Sequence, residues 1–295
     1  MSPEFALACV RFVHFGSVML LLGTVVFRRR MAVPEVAAAL AEPLLIWEKW
    51  SATAALTSAA LWLLVETAIA ADGWAAAVDP GTVISVLTDT LFGNVWCGRL
   101  VLTAAVAGVS GLAPARTGLL LEAGAAVLAA SLGFVGHGVM LSGMFGDLLS
   151  DVLGLHVLAA GLWIGPLPAV IMCLARAGRD FSVEAAASSI QRFSMVGHVA
   201  VVIALATGIA EARGILGTWM VDPTSAYQRL LAIKITAVAS MILLALVNGY
   251  GFLPRFAVKR PSAQHRLAIS CGLELALALL ILALVAVLGD MAPFE

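Results

Sequence analysis

Residues 136–168 read GHGVMLSGMFGDLLSDVLGLHVLAAGLWIGPLP. From residue 149 onward the run is apolar for longer than a bilayer core requires, yet about two turns in it carries an imidazole, His156. A polar ring at that depth is costly unless it meets a partner or lines a cavity. Upstream lie a second histidine, His137, two methionines, Met140 and Met144, and two acids, Asp147 and Asp151. Imidazole nitrogen and thioether sulfur are good donors to copper, the thioether favouring Cu(I). His137, Met140 and Met144 follow i, i+3, i+7 spacing and share one face if the fourth apolar helix continues through Met144. The two carboxylates suit the entrance of a cation route, or help in accepting Cu(II). Against this, a single buried histidine often only bonds a neighbouring helix, and a single methionine often only packs.

The rest of the chain sets the surroundings of this stretch. Of 295 residues, 62% are hydrophobic and 12% charged, about half the charge of a soluble domain, and mean hydropathy is +1.03. The expected class is all-α, a polytopic membrane protein. Eight segments qualify as spans: residues 5–27, 44–71, 95–113, 119–135, 149–175, 188–213, 226–252 and 267–289. Residues 82–92 read as a short interfacial helix. Gly165-Pro-Leu-Pro168 predicts a kink in the fifth span, because two prolines there lack amide donors. No linker divides the chain and no sequence repeat is evident, so residues 1–295 are expected to form one integral membrane domain.

Basic residues crowd the loops after the first, third, fifth and seventh spans, beginning with Arg28, Arg29 and Arg30. Basic loops stay cytoplasmic, which predicts that both termini face outward, as an even number of spans requires. Net charge is −1, which gives no electrostatic support for a nucleic-acid partner. The four cysteines are scattered singly, without the pairing of a zinc site or disulfide framework. There is no GxSxG, HExxH or phosphate-binding loop, so the chain is not expected to be an enzyme, and any pumping must draw on an ion gradient or the membrane potential.

Within the spans, His14, His137 and His156 are expected in the half of the bilayer nearer the termini, with His198 deeper. Glu274, about two turns from the opposite end of the last span, is a candidate for a proton or ion role. Lys234 is expected to snorkel or to pair with Glu211, Asn248 to bond across helices, and Arg99 and Arg213 to lie at loop edges. Haem is the competing use of the histidines: His14 with His156, or His156 with His198, could ligate a b-type haem.

The chain also resembles the CopD/PcoD family, copper resistance protein D. The resemblance rests on Gly136-His137, on Leu155-His156 through Trp163-Ile-Gly165, on Arg192-Phe193-Ser194, on Thr207-Gly208, and on residues 227–234 and 248–254. Arg11, His14 and Gly23 of the first span resemble the family's opening. The match is strongest over residues 136–256. It implies copper import across the inner membrane, often beside a separate periplasmic CopC-like copper-binding protein, with His14, His137 and His156 as copper residues and Trp163 and Phe193 as packing positions. Met140, Met144, Asp147, Asp151, His198 and Glu274 rest on the residue argument alone. Delivery of copper to another protein without transport is a further alternative.

Overall fold

In the computed structural model, residues 1–112, 114–135, 143–216, 224–258 and 262–291 are described, with side chains from 117 onward in the second of these stretches. Its elements are α1 (Pro3–Val26), α2 (Pro34–Ala39), α3 (Ala41–Ala70), α4 (Pro80–Asp89), α5 (Leu91–Ser110), α6 (Pro114–Ala130), α7 (Met144–Ile164), α8 (Leu167–Arg176), α9 (Val183–Leu216), α10 (Ala226–Leu246), α11 (Leu253–Ala257) and α12 (Ala263–Leu288). Eight helical stretches are long and apolar enough to cross a membrane, and no β-strand occurs among the described residues.

Local chemistry starts the helices where the sequence provides caps. Ser2 caps α1 through the Phe5 amide, with Pro3 in the first turn, where a missing donor does no harm. Thr90 caps α5 through the Gly93 amide at 2.9 Å, and Ser225 caps α10 through the Gln228 amide at 3.4 Å. Asp79 caps α4, the short helix expected at 82–92, accepting from the Thr82 amide at 2.8 Å and hydroxyl at 2.6 Å. Those two bonds hold the Asp79 carboxyl below the usual carboxylate range.

The expected kink is present: α7 ends at Ile164 and α8 begins at Leu167, across Gly165-Pro166. A second irregularity lies in the seventh span, where Val247–Phe252 is wound as a π-helix between α10 and α11. Such segments are rare and often border functional sites.

α1 is the central helix and packs on α3, α6, α7 and α12. Its tightest crossing is with the fifth span, where a Cβ on Gly23 would overlap the Gly165 backbone. Both chain ends lie on one side, since Arg11 reaches Asp290 at 3.6 Å and the Trp74 indole donates to the Met1 carbonyl. On the other side Arg28 grips the buried Glu48 with two bonds, 2.7 and 3.0 Å, and Arg29 and Arg30 share Glu122.

One expectation is corrected here. The fourth span does not run on through Met144: after α6 the chain makes one 3-10 turn, Ser131–Phe134, and Met144 is the first residue of α7. Residues 143–146 are Gly-Met-Phe-Gly, and Gly143 takes a positive φ of 80°, which starts a new helix rather than extending the old one.

Candidate functional site

His14 is fully buried on α1. Its Nδ1 donates to the Ala55 carbonyl at 3.1 Å and lies 3.0 Å from Ser58 Oγ, both on α3. Its Nε2 accepts from the Arg99 guanidinium at 2.8 Å. A carbonyl can only accept, which makes Nδ1 the protonated nitrogen and Nε2 the acceptor. Arg99, expected at a loop edge, is only 2% exposed; it also donates to the Leu128 carbonyl and Ser131 and lies over the Trp96 ring. The rings of Trp62 and Trp96 meet at 4.6 Å and flank the imidazole. Both ring nitrogens of His14 are therefore engaged.

His156 on α7 is held in the same way but left open. Its Nδ1 donates to the Ala204 carbonyl at 3.0 Å and lies 3.2 Å from Thr207 Oγ1, both on α9. Gly208 makes room for the ring, since a Cβ there would come 3.1 Å from His156 Cε1. Nε2 has no protein partner among the described residues, and the side chain lines a cavity of about 240 Å³. Glu211, Lys234, Tyr227, Met19 and Met241 line the same cavity. Lys234 and Glu211 form no ion pair within 4 Å; with Arg11, three charged side chains line the one space.

A second cavity, about 270 Å³, lies toward the other face of the bundle and is lined by His198, Asn248, Cys271 and Glu274. Asn248 sits in the π-helical turn, and its amide donates to the Glu274 carboxylate with Cys271 Sγ 3.9 Å away. His198 Nδ1 is 2.5 Å from the Ser194 carbonyl and its ring meets Tyr250 edge-on. His198 Nε2 and Asn248 Oδ1 are buried without a partner among the described residues. Buried polar atoms of this kind call for an explanation, and a bound water or ion is one. His198 also borders an open hollow of about 750 Å³ beside Ser194, Gln191 and Tyr250. Trp163 and Leu205 line both cavities and separate them. Trp163, treated in the sequence as a packing residue, thus borders two largely apolar cavities that each carry a few polar groups.

The remaining candidates lie elsewhere. Met144 is 88% exposed, and Asp147 and Asp151 are exposed near the start of α7. His137 and Met140 fall outside the described residues. Among the described residues no three His, Cys, Asp or Glu side chains converge as a metal cluster. The haem pairs are not assembled either. His14 has no free nitrogen, and His198 lies six residues before Ala204 on α9, about 9 Å along the axis from the carbonyl that holds His156. Met19 and Met241 were missed, having no sequence signal beyond a thioether in an apolar span; Glu211, Lys234 and Trp163 were named in the sequence, but for pairing and packing rather than for a cavity.

An eight-span helical bundle with imidazole, carboxylate and amide side chains lining two adjoining cavities defines a class: polytopic membrane proteins that carry polar groups at membrane depth. Residues 1–147 match the family described as copper resistance protein D-like, N-terminal domain, and residues 187–288 match the family described as copper resistance protein D. The inner membrane protein YebZ of Escherichia coli K12 is 28% identical over 290 residues, 98% of this chain and 99% of that one. Copper resistance protein D of Pseudomonas syringae pv. tomato is 29% identical over 251 residues, 81% of this chain and 80% of that one. No solved structure matches. The chain belongs to the copper resistance protein D family and is a multi-pass inner-membrane protein.

Proposed function

We propose that this protein imports copper across the inner membrane through its second half. Copper enters beside His156, passes Trp163 and leaves by His198. The arginine-rich side, with Arg28–Arg30 after the first span and Arg176 after the fifth, is cytoplasmic by the positive-inside rule, so both termini and the His156 cavity face the periplasm. Residues 1–295 form one integral domain, and its second half carries most of the route.

The observation that carries the reading is the pair of cavities that both touch Trp163, one lined by His156 and the other by His198, whose Nε2 is buried without a partner among the described residues. The donors fit a soft cation. Met19 and Met241 add thioether sulfur to His156, and Cys271 adds a thiol on the inner side. Each station offers few strong ligands, so the ion exchanges between them rather than being trapped. An inside-negative potential draws a single positive charge inward by about 2.3 kcal/mol per 100 mV, and no nucleotide site is needed. Asp147 and Asp151, exposed at the periplasmic start of α7, serve as the entrance together with Met144, Met140 and His137. A separate CopC-like periplasmic protein is the natural donor. Glu274 and Asn248 receive the ion on the cytoplasmic side.

The test is copper accumulation in proteoliposomes loaded with a cytoplasmic-type chelator. His156→Ala and His198→Ala are expected to abolish uptake while the protein remains folded. Uptake at wild-type rates in both variants would falsify the route. Copper bound but never translocated would instead make the protein a delivery factor.

A further inference from the structure

The fold holds two constellations of the same construction. In the first, His14 bonds an alanine carbonyl and the hydroxyl residue three positions later, Ala55 and Ser58; in the second, His156 bonds Ala204 and Thr207. Ser58 and Thr207 each bond back to the carbonyls three and four residues earlier. Nine residues after each histidine comes a glycine, Gly23 and Gly165, and these two glycines are the point where α1 and the fifth span cross. The third helix of each set starts at a hydroxyl cap, Thr90 or Ser225, and nine residues after the cap carries a basic residue, Arg99 or Lys234. Pairing repeats too: α1 with α3 is matched by α7 with α9, α5 with α6 by α10 with α12, and α1 with α12 by α7 with α6. Equivalent residues meeting one another at a crossing is what a two-fold axis through that crossing requires.

The two sets differ where it matters chemically. Four residues after Ser58 stands Trp62; four after Thr207 stands Glu211. Three before Arg99 stands Trp96; three before Lys234 stands Leu231. In the first set the two indoles fill the space and α3 packs along α5. In the second, the seventh span packs on α9 through α11 and the π-helical turn rather than along α10, and the His156 cavity lies beside α10.

We propose that the chain is two four-helix halves of common design and that the first is a permanently closed copy. The Arg99 guanidinium is its built-in occupant, taking the imidazole lone pair that His156, in the open second half, offers to a soft monovalent transition-metal cation. Lys234, the counterpart of Arg99, is a tethered ammonium that competes with the incoming cation for the Glu211 side of the cavity. The nature of the cation rests on the copper reading; the assignment of the halves does not.

Two measurements on the full chain in detergent test it. The first treats wild-type protein with the imidazole reagent diethyl pyrocarbonate and maps modified histidines by mass spectrometry, with and without Cu(I). His156 is expected to react and to be shielded by Cu(I), while His14 stays unmodified. Modification of His14 at a rate comparable to His156, or an inert His156, overturns the assignment. The second titrates Cu(I) against a competing chelator. Lys234→Leu is expected to bind roughly tenfold or more tightly, because a positive charge leaves the cavity and no ligand replaces it. His14→Gln is expected to stay within about twofold of wild type, and His156→Ala to weaken binding roughly tenfold or more. Unchanged or weaker binding in Lys234→Leu removes the competing role of Lys234, and a loss in His14→Gln equal to that in His156→Ala removes the closed copy. If wild type takes up no Cu(I) while the labelling pattern holds, the copper reading fails and the assignment of the halves stands.

Discussion

If Arg99 is a structural cation for His14, the two side chains must be energetically coupled well beyond an ordinary interhelical contact. The perturbation is a double-mutant cycle with His14→Ala, Arg99→Met and the pair. Neither residue reaches solvent, and the bond between them is 2.8 Å. Neutral interhelical hydrogen bonds in membranes couple by about 0.6 kcal/mol on average. A hydrogen bond from a charged group is worth about 1.5–3 kcal/mol. The expected coupling is therefore about 2 kcal/mol. Arg99→Met should itself lose about 2–3 kcal/mol, because His14 Nε2 and the Leu128 carbonyl are left without their donor. The loss is held below that of a broken buried ion pair because the buried charge leaves with the side chain. The assay is reversible unfolding of the four proteins in mixed micelles, with copper uptake measured in parallel. A coupling at or below about 0.6 kcal/mol would refute the argument, as would loss of uptake in a variant that remains folded.

The other consequences are as follows. Gly165→Ala should lower stability by about 1–3 kcal/mol or prevent folding, since its Cβ would overlap the Met19 carbonyl, whereas Gly16→Ala, with nothing within 4 Å, should be neutral; equal melting temperatures for the two would contradict the close crossing. Trp163→Ala should merge the two cavities and raise copper leak through proteoliposomes, with about 3–5 kcal/mol of stability lost; reduced flux in a folded variant would mean the indole is not the partition. The Asp79 carboxylate is held below its usual range by Thr82, so its contribution to the start of α4 is present above the unfolded value and is lost as pH falls through the folded value. Protection of the Thr82 amide from hydrogen exchange should follow that profile, and a profile unaltered by Asp79→Ala would remove the cap from the account.

The number of spans, the kink after Ile164 and the short helix before α5 were legible in the sequence, because each is a local property. Transfer of a segment into lipid, a missing proline donor and a side-chain cap depend on residues within a turn or two of one another. His156, His198 and Glu274 were legible for the same reason, since a polar group in an apolar run stands out wherever it points. What tertiary structure alone decided was convergence. Arg99 read as a loop-edge cation but reaches His14 across 85 positions of sequence. Met140 and Met144 had the tempting spacing, yet Met144 is exposed, and it is Met19 and Met241 on distant helices that line the His156 cavity. Residue type and spacing set the cost of placing one group in the membrane; which nitrogen keeps a free lone pair depends on neighbours that only packing supplies, and that is why two histidines held alike by the helix packed next to their own end with one plugged and one open.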